Sequence, residues 1–188
     1  MILRITCLFI FFIISTQSMA ISLTGGLHYE YLLKSIENNS KGYFIKYNLK
    51  RNNKQSLHIY TEYNVKQFFI DSTNINTNSL FLGAGVTTKF NNNWEYTSVF
   101  GISHTHLNGD FTNNIRSNEE QITSPFIQLG VNYIIPTKTR SKAKIGVNLR
   151  RQIQSKSITI DDSTKVEQSS SYKLNDDTSL IMHVSAEF

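Results

Sequence analysis

The chain of 188 residues contains one cysteine, Cys7. It falls inside an N-terminal segment that reads as a removable leader, which leaves the remainder without a thiol. That excludes a disulfide scaffold, a cysteine nucleophile and any thiolate metal site. Beyond Ala20 no apolar run exceeds a few residues, so transmembrane helices are excluded as well. Lysines and arginines are spread rather than massed, and no basic block is long enough to serve as a nucleic-acid or membrane-surface tail. Helical periodicity is scarce. What recurs instead is alternation of apolar and polar residues with a period of two, the mark of strands with one apolar face.

Residues Met1 to Ala20 carry one positive charge, Arg4, then an apolar run from Ile5 to Ile14, then a polar stretch ending Ser18-Met19-Ala20. This is the pattern of a secretory signal peptide with small residues at the cleavage site. The apolar run is too short for a membrane anchor, and Cys7 lies too early in it for lipoprotein processing. Residues 21–188, 168 after 20 are removed from 188, then form one domain. Losing Arg4 lowers the formal net charge from +5 to +4.

Eight dyad stripes follow. Ile21, Leu23, Leu27, Tyr29, Tyr31 and Leu33 share one face of the first. The second carries Tyr43, Ile45, Tyr47 and Leu49, and the third Leu57, Ile59, Tyr63 and Val65. Leu80, Leu82, Ala84, Val86 and Phe90 mark the fourth; Trp94, Tyr96, Phe100 and Ile102 the fifth. The sixth has Ile127, Leu129, Val131, Tyr133 and Ile135, the seventh Ala143, Ile145, Val147 and Leu149. The last, Leu180, Met182, Val184, Ala186 and Phe188, is interleaved with Ile181, His183, Ser185 and Glu187. Eight is the smallest even number of staves at which a membrane barrel closes. Connections at 51–55, 91–93 and 136–142 are short, whereas those between tend to be longer and polar, reaching 153–178. Short turns at one end and long loops at the other predict an outer-membrane orientation, turns and termini in the periplasm.

With that orientation Phe90, Trp94, Tyr96, Tyr133 and Phe188 form an outward aromatic girdle at the turn end, and Tyr29, Tyr31 and Tyr43 one near the loop end, where amphipathic rings meet the headgroups. A soluble lipocalin-like barrel, with the apolar stripe inside, explains the alternation but neither girdles nor loop asymmetry. The opposite face is read as a lumen of polar, ionisable and glycine residues, too narrow for an open pore. Its charges must be paired. The expected network comprises Glu30, Lys46, Glu62, Lys89, Glu95, Lys144, Arg150 and Glu187, with Glu30 facing Lys46, Lys89 facing Glu95, and Lys144 meeting Glu187. A proton relay of Glu30, Lys46, Glu62 and His58 is the catalytic alternative to this structural role.

The sharpest chemical motif is Ser103-His104-Thr105-His106, whose histidines continue the outward stripe. Lipid A deacylases place a His-x-Ser pair on an outward barrel face, but here the second position is His106 and no carboxylate matches. The same pair makes at most a weak metal site; neither metal nor cofactor is expected. In the loops, Asp110, Arg116, Glu119, Glu120, Lys165 and Tyr172 are the binding candidates. Ser157 to Ile160 and Lys165 to Glu167 read as arms of a hairpin turning near 161–164, whose exposed edge could accept a partner strand.

Signal peptide, eight staves, short turns and the terminal Phe188 together resemble the small outer-membrane barrels of the OmpX and Ail type and the membrane domain of OmpA; no peptidoglycan-binding domain is expected after Phe188. The resemblance implies an all-β, eight-stranded antiparallel up-and-down transmembrane barrel, and covers residues 21–188 without a shared loop motif. The expected protein is non-enzymatic, with loops for adhesion or ligand contact and a background role in membrane integrity. Its expected partners are outer-membrane lipid, lipopolysaccharide, the barrel assembly machinery and host proteins, with no nucleic acid. The rivals are a lipid A deacylase and an OmpW-like conduit, against which inward Lys89, Glu95 and Arg150 argue.

Overall fold

A computed structural model describes residues 21–188 apart from 33–34, 51, 53, 71–72, 110–114, 118–120, 138–140, 154–156, 163–168 and 174–177. The segment read as a signal peptide therefore lies outside the described residues. Eleven strands follow one another: β1 (Ile21–Leu32), β2 (Ser35–Lys50), β3 (Gln55–Ile70), β4 (Thr73–Lys89), β5 (Trp94–Gly109), β6 (Ile115–Ser117), β7 (Gln121–Ile135), β8 (Lys142–Gln152), β9 (Ser157–Asp162), β10 (Ser169–Lys173) and β11 (Thr178–Glu187). Eight of them close a barrel in the order β1-β11-β8-β7-β5-β4-β3-β2, every neighbour antiparallel.

Closure occurs between the first and last staves. Thr24 to Leu32 run against Ser179 to Glu187, and the ladder extends to the final residue: Phe188 N donates to Leu23 O at 2.9 Å and Leu23 N to Phe188 O at 3.2 Å. No open edge remains in the barrel, which a strand pair in hydrocarbon requires because nothing there would satisfy a free N–H.

The dyad stripes face outward. Leu27, Ile59, Phe100, Val184 and their counterparts on every stave are exposed, whereas Glu62, Arg150, Thr97 and Gln128 are fully buried. This is the reverse of a soluble barrel, and it excludes the lipocalin-like arrangement. About ten residues suffice for a tilted strand to cross a bilayer; β8 and β11 have 11 and 10, but β2 to β5 have 16 or 17. The excess lies at the loop end, where β2 begins at Ser35 rather than Tyr43 and β4 at Thr73 rather than Leu80. There polar residues occupy both parities, as in Asn76, Thr77 and Asn78, and the apolar stripe no longer marks the outer face.

At the turn end a side chain closes each connection. Asn52 Oδ1 accepts from the backbone N–H groups of Lys54 and Gln55 at 2.9 and 2.6 Å, and Asn91 Oδ1 from those of Asn93 and Trp94 at 2.8 and 2.9 Å. Asparagine makes such turns by substituting for a backbone carbonyl. Thr137 Oγ1 donates to Ser141 O at 2.6 Å in the third.

Candidate functional site

The lumen is built in layers. At the turn end Lys144 Nζ reaches both Glu95 Oε1 at 2.8 Å and Glu187 Oε2 at 2.7 Å. Between the strands of Lys144 and Glu95 lies β7, whose Asn132 Nδ2 also donates to Glu95 Oε1 at 3.0 Å, and Ser22 Oγ donates to Glu187 at 2.9 Å. Lys89 stands opposite Glu95 in register, yet Glu95 is held by Lys144 instead. Near the loop end Glu30 accepts from Ser40 Oγ at 2.7 Å and from Asn64 Nδ2. The expected juxtaposition of Glu30 with Lys46 is corrected: Glu30 faces Ser40 and Lys46 faces Thr24. The slip is even-numbered, so both stay inward, and it arises because the β1–β2 ladder continues past Glu30 to Leu32 and Ser35, with a register shift at Tyr31/Leu32.

The middle of the lumen departs most from expectation. Phe44, Tyr60, Phe81, Val99 and Phe126 pack together as a buried cluster, so the interior is not uniformly polar. Phe81 and Phe126 meet edge to face with centroids 5.3 Å apart, Phe44 and Tyr60 lie 6.0 Å apart. Through this collar runs Arg150. Its Nη2 donates to Glu62 Oε1 at 2.6 Å and its guanidinium carbon sits 4.0 Å from the centre of the Phe81 ring. Glu62 also accepts from Tyr60 Oη, and His28 Nε2 lies 3.3 Å from its Oε1. Strands β3 and β8 are not neighbours, so Arg150–Glu62 crosses the interior. Parity was the available signal: Phe44, Phe81 and Phe126 all occupy inward positions of stripes whose outward members are apolar.

Each inward histidine of this region lies in direct register with a glycine: His28 with Gly42, His58 with Gly85, His183 with Gly146. A Cβ on Gly85 would come within 2.6 Å of His58 Nε2, and one on Gly42 or Gly146 would strike His28 or His183 as closely. The missing side chain is the space in which the imidazole lies. His58 Nδ1 contacts Thr87 Oγ1 at 3.4 Å and His183 Nδ1 the Asn148 amide at 3.2 Å. The four groups suggested as a relay do not meet as one site, since Glu30 is engaged with Ser40 and Asn64 and Glu62 with Arg150 and Tyr60.

On the outer face, Trp94 and Tyr133 pair at the turn end with centroids 5.0 Å apart, beside Phe90 and Tyr96 at 6.5 Å; Phe188 and Phe90 are each 71% exposed. Toward the loop end, Tyr29 and Tyr31 lie 4.6 Å apart and Tyr43 stacks with Tyr63 at 5.5 Å. His104 also faces outward, its Nδ1 3.0 Å from Thr123 Oγ1, whereas His106 stands opposite Gln121. No carboxylate lies within ion-pair distance of either among the described residues. Nor do three or more His, Cys, Asp or Glu side chains gather as a metal site among them.

Two long loops join in a second sheet, ordered β10-β9-β6. Tyr172 pairs with Ile158 and Arg116 with Asp161. β9 pairs with Ser169–Lys173, in a register that sets Ser169 against Asp161; Lys165 to Glu167, read as the second arm, lie outside the described residues. The arm β9 is also not an open edge, since Ile115–Ser117 covers it. Asp110, Glu119, Glu120 and Lys165 lie outside the described residues.

No family model matches the chain, and no curated protein sequence matches it. Solved structures do. The barrel is similar to the outer membrane protein OprG from Pseudomonas aeruginosa, at 9% identity over 92% of this chain and 97% of that one, TM-score 0.55. It is similar to Ail, the attachment invasion locus protein of Yersinia pestis, at 14% identity over 89% and 96%, TM-score 0.52. The N-terminal β-barrel domain of Pseudomonas aeruginosa OprF matches at 12% identity over 89% and 97%, TM-score 0.51. The fold of this chain is that of the small eight-stranded outer-membrane β-barrels.

Proposed function

We propose that the chain is an integral protein of a bacterial outer membrane, delivered with a cleaved signal peptide, and that it acts by binding at the loop end rather than by transport or catalysis. The observation that carries this reading is the pairing of β6 with β9. Two loops remote in sequence are joined into one sheet outside the barrel, and ordering a polar loop costs about 1–2 kcal/mol per residue in backbone entropy. Loops paired with one another at the end away from the turns are what contact with host molecules, matrix or other cells uses. The lumen supports the same reading: its aromatic collar and the Arg150–Glu62 bridge fill the section that a conduit would keep open. Ail, which shares the fold, has been solved with the heparin analogue sucrose octasulfate.

The test is to trim Ile158 to Ser171 and compare cells expressing the trimmed and intact proteins for binding to heparin and to matrix proteins. The trimmed barrel should still insert, since its stability resides in the eight staves, and binding should be lost. Equal binding by both proteins would place function elsewhere.

One observation favours a second reading. His104 Nδ1 and Thr123 Oγ1 are 3.0 Å apart on the exposed face, the separation of a base and the hydroxyl it activates. An acyl-chain hydrolase acting on lipid A would lose activity on replacing His104 with Ala, and mass spectra of lipid A from expressing cells report it.

A further inference from the structure

We propose that the turn-end mouth of the lumen is a binding site for a small polyvalent phosphate. Where the proposed-function reading supplies only the compartment, the periplasm, the site itself rests on the barrel's own geometry. The mouth encloses a cavity of about 300 Å³, at the lower end of the roughly 300–1,000 Å³ that small-molecule sites occupy. Five lysines line it: Lys46, Lys54, Lys89, Lys142 and Lys144. Facing them are two side-chain carboxylates, Glu95 and Glu187, and both are taken by one ammonium, that of Lys144. Five cations less two anions leave +3, and the terminal carboxylate of Phe188 at the rim lowers this to +2.

The second observation is Lys46. It is 5% exposed, its neighbours across the ladder are Thr24 and Tyr60, and no carboxylate lies within ion-pair distance among the described residues. Its ammonium sits 5.3 Å from the centre of the Phe44 ring and 5.8 Å from that of Tyr60, and Lys46 lines the cavity. A buried charge in a protein interior is ordinarily paired. Here no such partner is found among the described residues, and three more lysines line the same cavity. Lysine acts on phosphate as a point charge, so ammoniums of this kind suit a di- or trianion that can be reached from several sides, and the Ser56 hydroxyl and Gln55 amide at the rim add neutral donors.

The experiment uses the barrel folded in zwitterionic detergent, with folding of each variant checked by heat-shifted gel migration. Titration with inorganic diphosphate at low ionic strength, followed by calorimetry and by the ³¹P resonance, should show saturable binding of one ligand per barrel. The rim variants Lys54→Gln and Lys142→Gln lie outside the packed interior and should each weaken it by roughly tenfold, about the worth of one charge-assisted contact; Lys46→Gln should weaken it at least as much. Lys41→Gln removes one charge at the opposite end and should leave affinity unchanged. Absence of saturable binding, unchanged affinity in both rim variants, or an equal loss in Lys41→Gln would overturn the site. Repeating the titration in bilayers with and without phosphatidylglycerol separates the sources: suppression by the anionic lipid identifies a headgroup phosphate as the occupant, and unchanged binding a soluble one. A barrel found to fold without detergent would refute the membrane reading and leave this titration intact.

Discussion

Arg150 and Glu62 join opposite walls of the barrel, Nη2 to Oε1 at 2.6 Å, through a ring of aromatic side chains. Neither side chain has appreciable contact with solvent, at 1% and 0%. Removing one partner strands a charge in the collar, which costs about 3–5 kcal/mol. Glu62→Gln should therefore lower the free energy of unfolding in lipid vesicles by that amount, obtained from urea titration read by gel migration. The double change Arg150→Met with Glu62→Leu should cost less than Glu62→Gln alone, because it leaves no unpaired charge. A double variant weaker than the single one would show that the bridge contributes more than it costs to bury.

The same collar predicts electrical silence. Reconstituted in a planar bilayer, the protein should give no steady open-channel current at moderate voltage. A reproducible unitary conductance would mean that the collar opens.

Register with histidine predicts which glycines can be replaced. Gly85→Ala should destabilise by about 1–3 kcal/mol, the usual cost of overpacking, because the new methyl meets the His58 ring and the Ser98 carbonyl. Gly25, whose Cβ would meet nothing within 4 Å, should accept Ala without loss. Replacing His58 with Ser in the Gly85→Ala background should recover part of the stability. Equal effects at Gly25 and Gly85 in the unfolding assay would remove the argument.

Closure of the barrel predicts an asymmetry at the last two residues. Phe188 points outward at 71% exposure and completes the ladder with Leu23, whereas Glu187 is half-buried against Lys144 and Ser22. Phe188→Lys should reduce insertion into the outer membrane far more than Glu187→Lys, measured as the heat-modifiable fraction in membrane preparations. Equal insertion of the two would sink this reading.

Topology is tested by labelling. A cysteine in place of Ser170, on β10, should react with an impermeant maleimide on intact cells, and one in place of Asn92, in a short turn, should not. The reverse pattern would invert the barrel.

The outward stripes were legible because lipid imposes a simple rule on each stave: every second residue from Leu180 to Phe188, or from Ile127 to Ile135, is apolar or aromatic. The rule stops at the hydrocarbon boundary. Residues 35–41 of β2 and 73–79 of β4 belong to the same strands, yet carry no apolar alternation, and so the height of the wall was hidden. The lumen was half legible. Its charged members could be named from parity, but partners such as Arg150 and Glu62 lie on strands remote in the sheet, and cross-lumen distance has no signature in a sequence. Phe44, Phe81 and Phe126 sat at the inward parity in plain view; the assumption of a polar interior concealed them. The hairpin in the last loop was visible in Ser157 to Ile160, whereas its partner arm, largely serine, has little strand propensity of its own and is held by register.

The sheet β10-β9-β6 has a consequence for inheritance. Because β9 is bonded on both edges, to Ser169–Lys173 on one side and Ile115–Ser117 on the other, an insertion of one residue within any arm turns its side chains over and disturbs the opposite loop. A change of length in one loop is then tolerated only where the other changes with it, so that the two behave as a single heritable unit.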